Sequence, residues 1–564
     1  MKGENIIEQQ PEPLLHPLGI RARVLLTSVF GPYARDDEYG SRKILAMELY
    51  NNQITRLQGP FSYRMFHRSF QLLFLRENID ALCTVLDFPR LERFVDELKS
   101  QTYDIIGISA VPPNVFKVKK MCELIRQYQP SAVILVGGHV VGINNISEIV
   151  DADHFVEGDG VRWLRRYLGM DENAPIKHPA VASGFNIRVL GFQILKGRGD
   201  VAAFLIPSVG CPVGCEFCAT SAMFGGKGKS ILFYKTGDEL FSVMCDLEKK
   251  LKVKDFFVQD ENFLLDKKRT LRLLELMEQY NKSWTLFVFS SANALKSYTV
   301  DQLVRLGITW VWLGIEGKNS PYRKLEGIDT IALVRELQSH GIMFVASTMI
   351  GMEYHKPEDM DELIQWAVEH DADFHQFMLY HAIPGTPLYK KLDREGRLVS
   401  LEEMPWPDSH GMVRFNYRHP HFKEGEETAY LFKSFQMDFD VNGPSIARSI
   451  RTALKGWQKH KNHSDLRVRK RYKWVSRYLS TLRAASVWTM RKWYRKNETN
   501  KVVMGKLDAL LQDLYREFGL ISRITAPLLG RIVYIGLKRE ARRLETGRAT
   551  DPPTFYEPAV SRTQ

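Results

Sequence analysis

Cysteine is scarce in this chain. Six occur in 564 residues, which excludes a disulfide framework and fits a reducing compartment. Long apolar runs are missing too: no stretch of 18 apolar residues occurs, so no transmembrane helix is expected. The opening MKGENIIEQQPEPLLHP lacks a secretory apolar core, which predicts a cytoplasmic protein. No internal repeat is found, which sets aside repeat architectures. Acidic residues all but vanish between Val441 and Asn500, where 16 Lys/Arg face 2 Asp/Glu. With a net charge of +12 overall, that segment carries +14 and the remainder −2. The basicity therefore belongs to one C-terminal segment.

What is present is ample for folding. A hydrophobic fraction of 44% over this length predicts several domains. Half of the cysteines fall in Cys211-Pro-Val-Gly-Cys215-Glu-Phe-Cys218, directly after the apolar run Phe204 to Val209. A strand that delivers three thiolates into one glycine-bearing loop suits clustered iron, for which thiolate is a matched soft ligand. Three ligands, not four, leave one iron of a [4Fe–4S] cluster open to a small molecule. The alternatives are a zinc knuckle or three buried structural cysteines. A closed zinc site wants a fourth ligand, and the next cysteine, Cys245, falls in an expected helix.

The spacing C-x3-C-x2-C, with Phe217 before the last Cys, resembles the signature of the radical S-adenosylmethionine (radical SAM) enzymes. The resemblance implies that Cys211, Cys215 and Cys218 hold a [4Fe–4S] cluster whose open iron chelates the amine and carboxylate of SAM. An electron from the cluster, supplied by a flavodoxin- or ferredoxin-type reductant protein, then cleaves SAM to a 5′-deoxyadenosyl radical.

Upstream, short β-branched runs alternate with amphipathic stretches: Arg23–Val29, Ala81–Leu86, Asp104–Ala110 and Ala132–Val136, with helices expected over Pro89–Lys99 and Val115–Tyr128. This pattern predicts a Rossmann-like, doubly wound parallel sheet whose ligands sit at the carboxyl ends of the strands. Ser109, Gly137, Gly138 and His139 share that rim. VGGHVVG at Val136–Gly142 and DADHFVEGDG at Asp151–Gly160 resemble segments of the cobalamin-binding domain that precedes the radical SAM core in one large subgroup. By that resemblance the rim binds cobalamin. No Asp-x-His-x-x-Gly occurs, so the corrin would lack a protein histidine as lower ligand. A Rossmann-like domain that binds no cobalamin is the alternative.

Six strand–helix units follow from Ala203 to Tyr380, predicting a partial (β/α)6 TIM-type barrel with its chemistry at the carboxyl strand ends. Those ends carry the three cysteines; Asp260, Glu261 and Asn262; Ser290, Ser291 and Asn293; Glu316; Gly351 and Glu353; and His381 with the Pro384–Pro387 turn. DENF at Asp260–Phe263 resembles the family's D-D-N-F, and Glu316 matches its G-x-E. The resemblance assigns these groups to SAM, with Phe217 near the adenine.

The whole reads as α/β: residues 21–170 Rossmann-like, 171–200 a linker, 201–400 the barrel, 401–545 a basic helical domain and 546–564 a disordered tail, after a flexible lead-in over 1–20. The expected function is SAM-dependent radical chemistry, namely cobalamin-dependent methylation of an unactivated carbon on an organic, amphiphilic or lipid substrate. A cobalamin-free coupling, cyclisation or rearrangement and a non-catalytic iron–sulfur protein are the alternatives. A tRNA methylthiotransferase-like role is disfavoured, since only Cys83 and Cys122 precede the triad. Arg469–Leu479 and Met490–Lys496 mix cations with Trp and Tyr, so residues 445–496 are expected to contact an anionic membrane surface peripherally, in preference to nucleic acid.

Overall fold

Runs such as RVLLTS and VILVG leave no polar face to point at water, so they form strands only where both faces of a sheet are covered. The computed structural model, which describes residues 15–31, 38–40, 54–62, 68–184, 188–189, 192–193, 201–497, 500–545 and 554–559, shows this arrangement. Strands β1 (Arg23–Ser28), β2 (Leu82–Asp87), β3 (Ile105–Ser109), β4 (Val133–Gly137) and β5 (His154–Val156) form a parallel sheet in the order β2-β1-β3-β4-β5. Separate apolar cores cover its two faces. The strand order reverses between β1 and β3, where Ser28 lies in register with Ser109. A crevice forms at such a switch point.

The barrel sheet begins with β6 (Ala182–Gly184), antiparallel at the edge of β7 (Val201–Leu205). The expected linker therefore contributes an edge strand. Then β8 (Asp255–Val258), β9 (Thr285–Ser290), β10 (Ile308–Glu316), β11 (Met343–Ile350) and β12 (Phe374–Leu379) follow in parallel, in chain order. The sheet stays open from β6 to β12. Thr236/Glu239 and Thr299/Gln302 form reciprocal capping boxes that start two of the outer helices.

The basic segment over 445–496 divides between surface and packing: nine of its 16 Lys and Arg stay exposed, and three are buried. Arg448 is buried in an ion pair with Asp438, Arg467 reaches Glu278, and Arg471 donates to the Val304 carbonyl at 2.6 Å. Among its Trp and Tyr residues only Trp474 is exposed. The helix Leu466–Tyr478 continues through a π-turn, Leu479–Arg483, into Ala484–Asn497. That turn shifts the buried face, so Leu482 is exposed while Ala484, Val487 and Met490 are buried.

The last helix, Lys501–Glu545, bends at Gly519 (φ 56°, ψ −133°). With a mean hydropathy of 1.4 in its best window, it is long and apolar enough by length and composition to cross a membrane. Arg523, Pro527 and Arg531 break the apolar run in sequence, yet the average over the window remains high.

Two flanking segments are more ordered than expected. His16 is buried and its N–H donates to the Tyr167 carbonyl at 2.9 Å, so the lead-in is docked from there on; residues 1–14 lie outside the described residues. Within the supposed tail, β13 (Phe555–Glu557) pairs antiparallel with β2. Glu557 binds Arg68 and Arg76, each at 2.5 Å.

Candidate active site

The cysteine loop is built by its own backbone. Gly214 (φ 69°) lies so close to Lys227 that a Cβ would stand 2.5 Å from the Lys227 Cα, so the turn between Cys211 and Cys215 requires glycine. A short ladder, Ser208–Val209 against Ile231–Leu232, closes the loop. Cys218 caps the helix Ala219–Met223, its Sγ accepting from the Ser221 N–H at 3.4 Å, and the Ser221 hydroxyl donates to the Cys211 carbonyl at 2.8 Å.

Burial holds all three thiols above the usual range, Cys215 at about 11. Such thiols stay protonated until a metal displaces the proton. Among the described residues no three His, Cys, Asp or Glu side chains stand close enough to hold a single metal ion. A cubane binds each thiolate at a different corner and so accepts a wider spacing.

Lys324 was not anticipated from the sequence, although it follows Glu316 by one short loop. It is ion-paired to Glu316, and its charge acts on all three thiols. Burial works against that charge, but Glu316 and Cys215 more than offset it and keep Lys324 above the ordinary lysine value. Glu316 sits in the left-handed region (φ 55°) at a register shift between β10 and β11, which turns its side chain inward. Phe217 packs edge-on against Tyr322 (5.3 Å) and Tyr380 (5.9 Å).

The polar strand ends divide into anchors and open groups. Asp260 is saturated: its oxygens take Ser208, Arg269 at 2.9 Å and the Asn262 N–H at 3.0 Å. Asn262 in turn ties β8 to β9, accepting from the Ser291 N–H (3.1 Å) and from the Ser290 hydroxyl (3.4 Å). Glu261 differs. Its Oε2 is buried with no hydrogen-bond partner, and burial pushes the carboxyl up to about 7. His381 is buried, with Nδ1 unpartnered, and burial lowers it to about 3, so it is neutral at any working pH.

A continuous chamber of about 2640 Å³ joins these groups to the N-terminal rim. Cys211, Cys215, Cys218, Phe217, Asp260, Glu261, Asn262, Ser290, Glu316 and His381 line it from the barrel; Ser109, Gly137, Gly138 and His139 line it from the other sheet. The rim is tight. At Gly138 (φ 85°) a Cβ would meet the Ala110 carbonyl oxygen at 2.4 Å. Burial lowers the His139 pKa.

Three expected cofactor residues fall outside the chamber. Asn293 is exposed, its Oδ1 accepting from the Ser291 hydroxyl at 2.6 Å. Gly351 is covered by the Phe415 ring, which leaves no room for a ligand against it. Glu353 is held by Lys391 and Arg397.

Sequence reading also missed the chamber's inner wall. Phe257, Phe287, Phe289, Trp310 and Trp312 point inward from β8 to β10 in one contiguous stack, with Phe287 5.9 Å from Trp310 and Phe289 5.3 Å from Trp312. Aromatic residues at alternate positions of the strands were the available signal.

The family comparison decides the identity: residues 205–367 match the Radical SAM superfamily. The chain carries a radical SAM domain. The matched stretch holds the cysteine loop and strands β8 to β11, so the radical SAM domain lies where the chamber does. An uncharacterized methyltransferase of Pyrococcus horikoshii is 25% identical over 359 residues, covering 57% of this chain and 76% of the relative. The bacteriochlorophyllide d C-8(2)-methyltransferase of Chlorobaculum tepidum is 23% identical, covering 55% and 73%. The hopanoid C-2 methylase of Rhodopseudomonas palustris is 28% identical over 204 residues, covering 34% and 38%. A solved structure of the radical S-adenosylmethionine methyltransferase TsrM from Kitasatospora setae, with tryptophan and aza-SAM bound, overlays at a TM-score of 0.48 and 14% identity, over 77% of this chain and 95% of its own.

The residues present fit the family's cofactors. Three thiols on one loop, with the Lys324 cation among them, suit an anionic iron–sulfur cube. The orphaned Glu261 oxygen beside them suits an ammonium such as that of SAM.

Proposed function

We propose that this radical SAM enzyme transfers a methyl group, by way of cobalamin, to an unactivated carbon of a large, predominantly apolar substrate. The observation that carries the reading is the continuous chamber lined by the switch-point rim, the cysteine loop and an aromatic wall. Curated relatives named as methyltransferases of a hopanoid and a bacteriochlorophyllide support it.

When bound, the cluster, SAM and cobalamin supply reductive SAM cleavage and a transferable methyl group, the electron coming from a flavodoxin- or ferredoxin-type protein. The chain's own residues do the rest. Cys211, Cys215 and Cys218 hold the cluster, and Lys324, fixed by Glu316, lies beside it. Glu261 accepts the ammonium of SAM, while Asp260 with Arg269 and Asn262 with Ser290 keep that loop rigid. Ser109, Gly137 and Gly138 offer a cobalamin platform without a histidine lower ligand. Phe257 to Trp312 hold the apolar body of the substrate and exclude water. A polar chain, Trp312 to Ser347 to Gln376 (2.7 Å each), gives that wall one hydrogen-bonding register mark.

Anaerobic reconstitution with iron, sulfide, hydroxocobalamin, SAM and a reductant tests the reading. Corrin retained through desalting, with both 5′-deoxyadenosine and S-adenosylhomocysteine formed, is the expected result. Deoxyadenosine alone from a cluster-loaded protein without corrin favours the cobalamin-free radical reaction instead.

A further inference from the structure

Past the bend at Gly519, the last helix is two-faced in an unusual way. Ser522, Ala526, Gly530 and Tyr534 pack inward, Gly530 against the Trp488 ring and its carbonyl accepting from the Thr489 hydroxyl at 3.0 Å. The opposite face is apolar and uncovered: Leu520, Ile521, Ile524, Leu528, Ile532 and Ile535 are each 49–74% exposed. These residues recur at helical spacing and form one stripe. A water-facing helix would carry charges there. Instead the exposed charges at its borders and along its next turns, Arg523, Arg531, Lys538, Arg539 and Arg542, are all cationic. Among the described residues none of the four arginines has an ion-pair partner. The one acid in that stretch, Glu540, lines the chamber instead.

We infer that the outward face of residues 520–542 docks in the plane of an anionic lipid bilayer. An apolar stripe bordered by cations fits the boundary between acyl chains and anionic headgroups. A second copy of the chain would bring cations against cations, and a spanning orientation would require stripping the inward face from its packed partners. The same two turns connect docking to the site. Val533, Gly536 and Leu537 line the chamber while Ile532 and Ile535 face outward, and exposed Lys254, Lys470, Lys473 and Arg477 fringe the chamber where it reaches the amino ends of the barrel strands. Docking thus sets this basal mouth, opposite the cysteine loop, against the membrane, where an amphiphile enters tail first. This last step rests on the apolar-substrate reading above; the docking itself does not.

The test uses the cluster-loaded full chain, floated with vesicles of phosphatidylcholine with and without phosphatidylglycerol, with no turnover involved. Flotation with the anionic vesicles, weakened by salt and by about tenfold or more in the variant Ile524→Asp/Leu528→Asp/Ile532→Asp at unchanged iron content, is expected. In parallel, Ile532→Trp should be quenched by brominated lipid, a readout that does not depend on the triple variant folding. Failure of the wild type to float, equal flotation of the triple variant, or an unquenched Trp overturns the inference. So does a stripe-dependent dimer that ignores vesicles. Loss of methyl transfer with flotation intact would instead count against the proposed reaction.

Discussion

The two parallel sheets of this chain treat their second faces in opposite ways. In the N-terminal sheet both faces are sealed: every residue of β1 and β2 after the first is buried. In β8 and β9 of the barrel sheet burial alternates. Along β9, Leu286 and Val288 are buried outward, while Thr285, Phe287 and Phe289 stay half-buried toward the chamber. Each half-exposed aromatic side chain forgoes on the order of 1 kcal/mol of burial, which an apolar ligand can restore. A sealed sheet can offer ligands only its strand ends. The half-sealed sheet offers them a wall along the strands.

The cysteine loop, at the strand-end rim of the half-sealed sheet, should give the largest effect. Replacing Cys211, Cys215 and Cys218 together with Ala should abolish the brown chromophore, bound iron and SAM cleavage, as iron and sulfide analysis will show; about four irons per chain surviving the change would refute the assignment. Next comes the contrast within β9. Leu286→Ala, on the sealed face, should cost about 2–5 kcal/mol in denaturant unfolding. Phe289→Ala, one strand position type away on the open face, should cost clearly less and instead raise KM for the substrate.

A smaller effect tests Glu261. Its folded carboxyl stands raised, at about 7 against 4.5 for the ordinary side chain, so its contribution to apoprotein stability is full below pH 4.5 and lost as pH rises toward 7. The difference in thermal midpoint between wild type and Glu261→Gln should therefore move in favour of the variant across that window, and bound SAM should reduce the difference. A pH-independent difference would mean that Glu261 is not a buried, unpaired acid. The smallest effect belongs to the edge of the sealed sheet. Glu557→Ala removes two partly exposed ion pairs and should cost no more than about 1 kcal/mol.

Much of this was legible in the sequence because it depended on local rules. The helix Val115–Tyr128 and both capping boxes follow from periodicity and cap chemistry, and all six parallel barrel strands were read in place. The cysteine loop was legible because thiolates at that spacing have few uses. What stayed hidden depended on distance. Gly351 occupies the right strand end, but Phe415, far along the chain, covers it. Lys324 acquires its role only when β10 bends at Glu316. The cations and aromatic residues of 445–496 suggested a surface, yet Arg471 and Tyr472 find their partners at the base of the barrel. The helix Phe70–Glu77 was also missed, lying after a stretch with no strong pattern.

The pairing of β13 with β2 bears on the order in which the molecule is made. Thr554 reaches the Phe88 carbonyl across 466 residues of chain, so during synthesis the first domain emerges with the outer edge of β2 unpaired. That edge remains a template for other strands until residues 555–557 have left the ribosome. Chains halted anywhere in the barrel or the helices would carry the N-terminal sheet with an open flank, and they should be the species most dependent on chaperones.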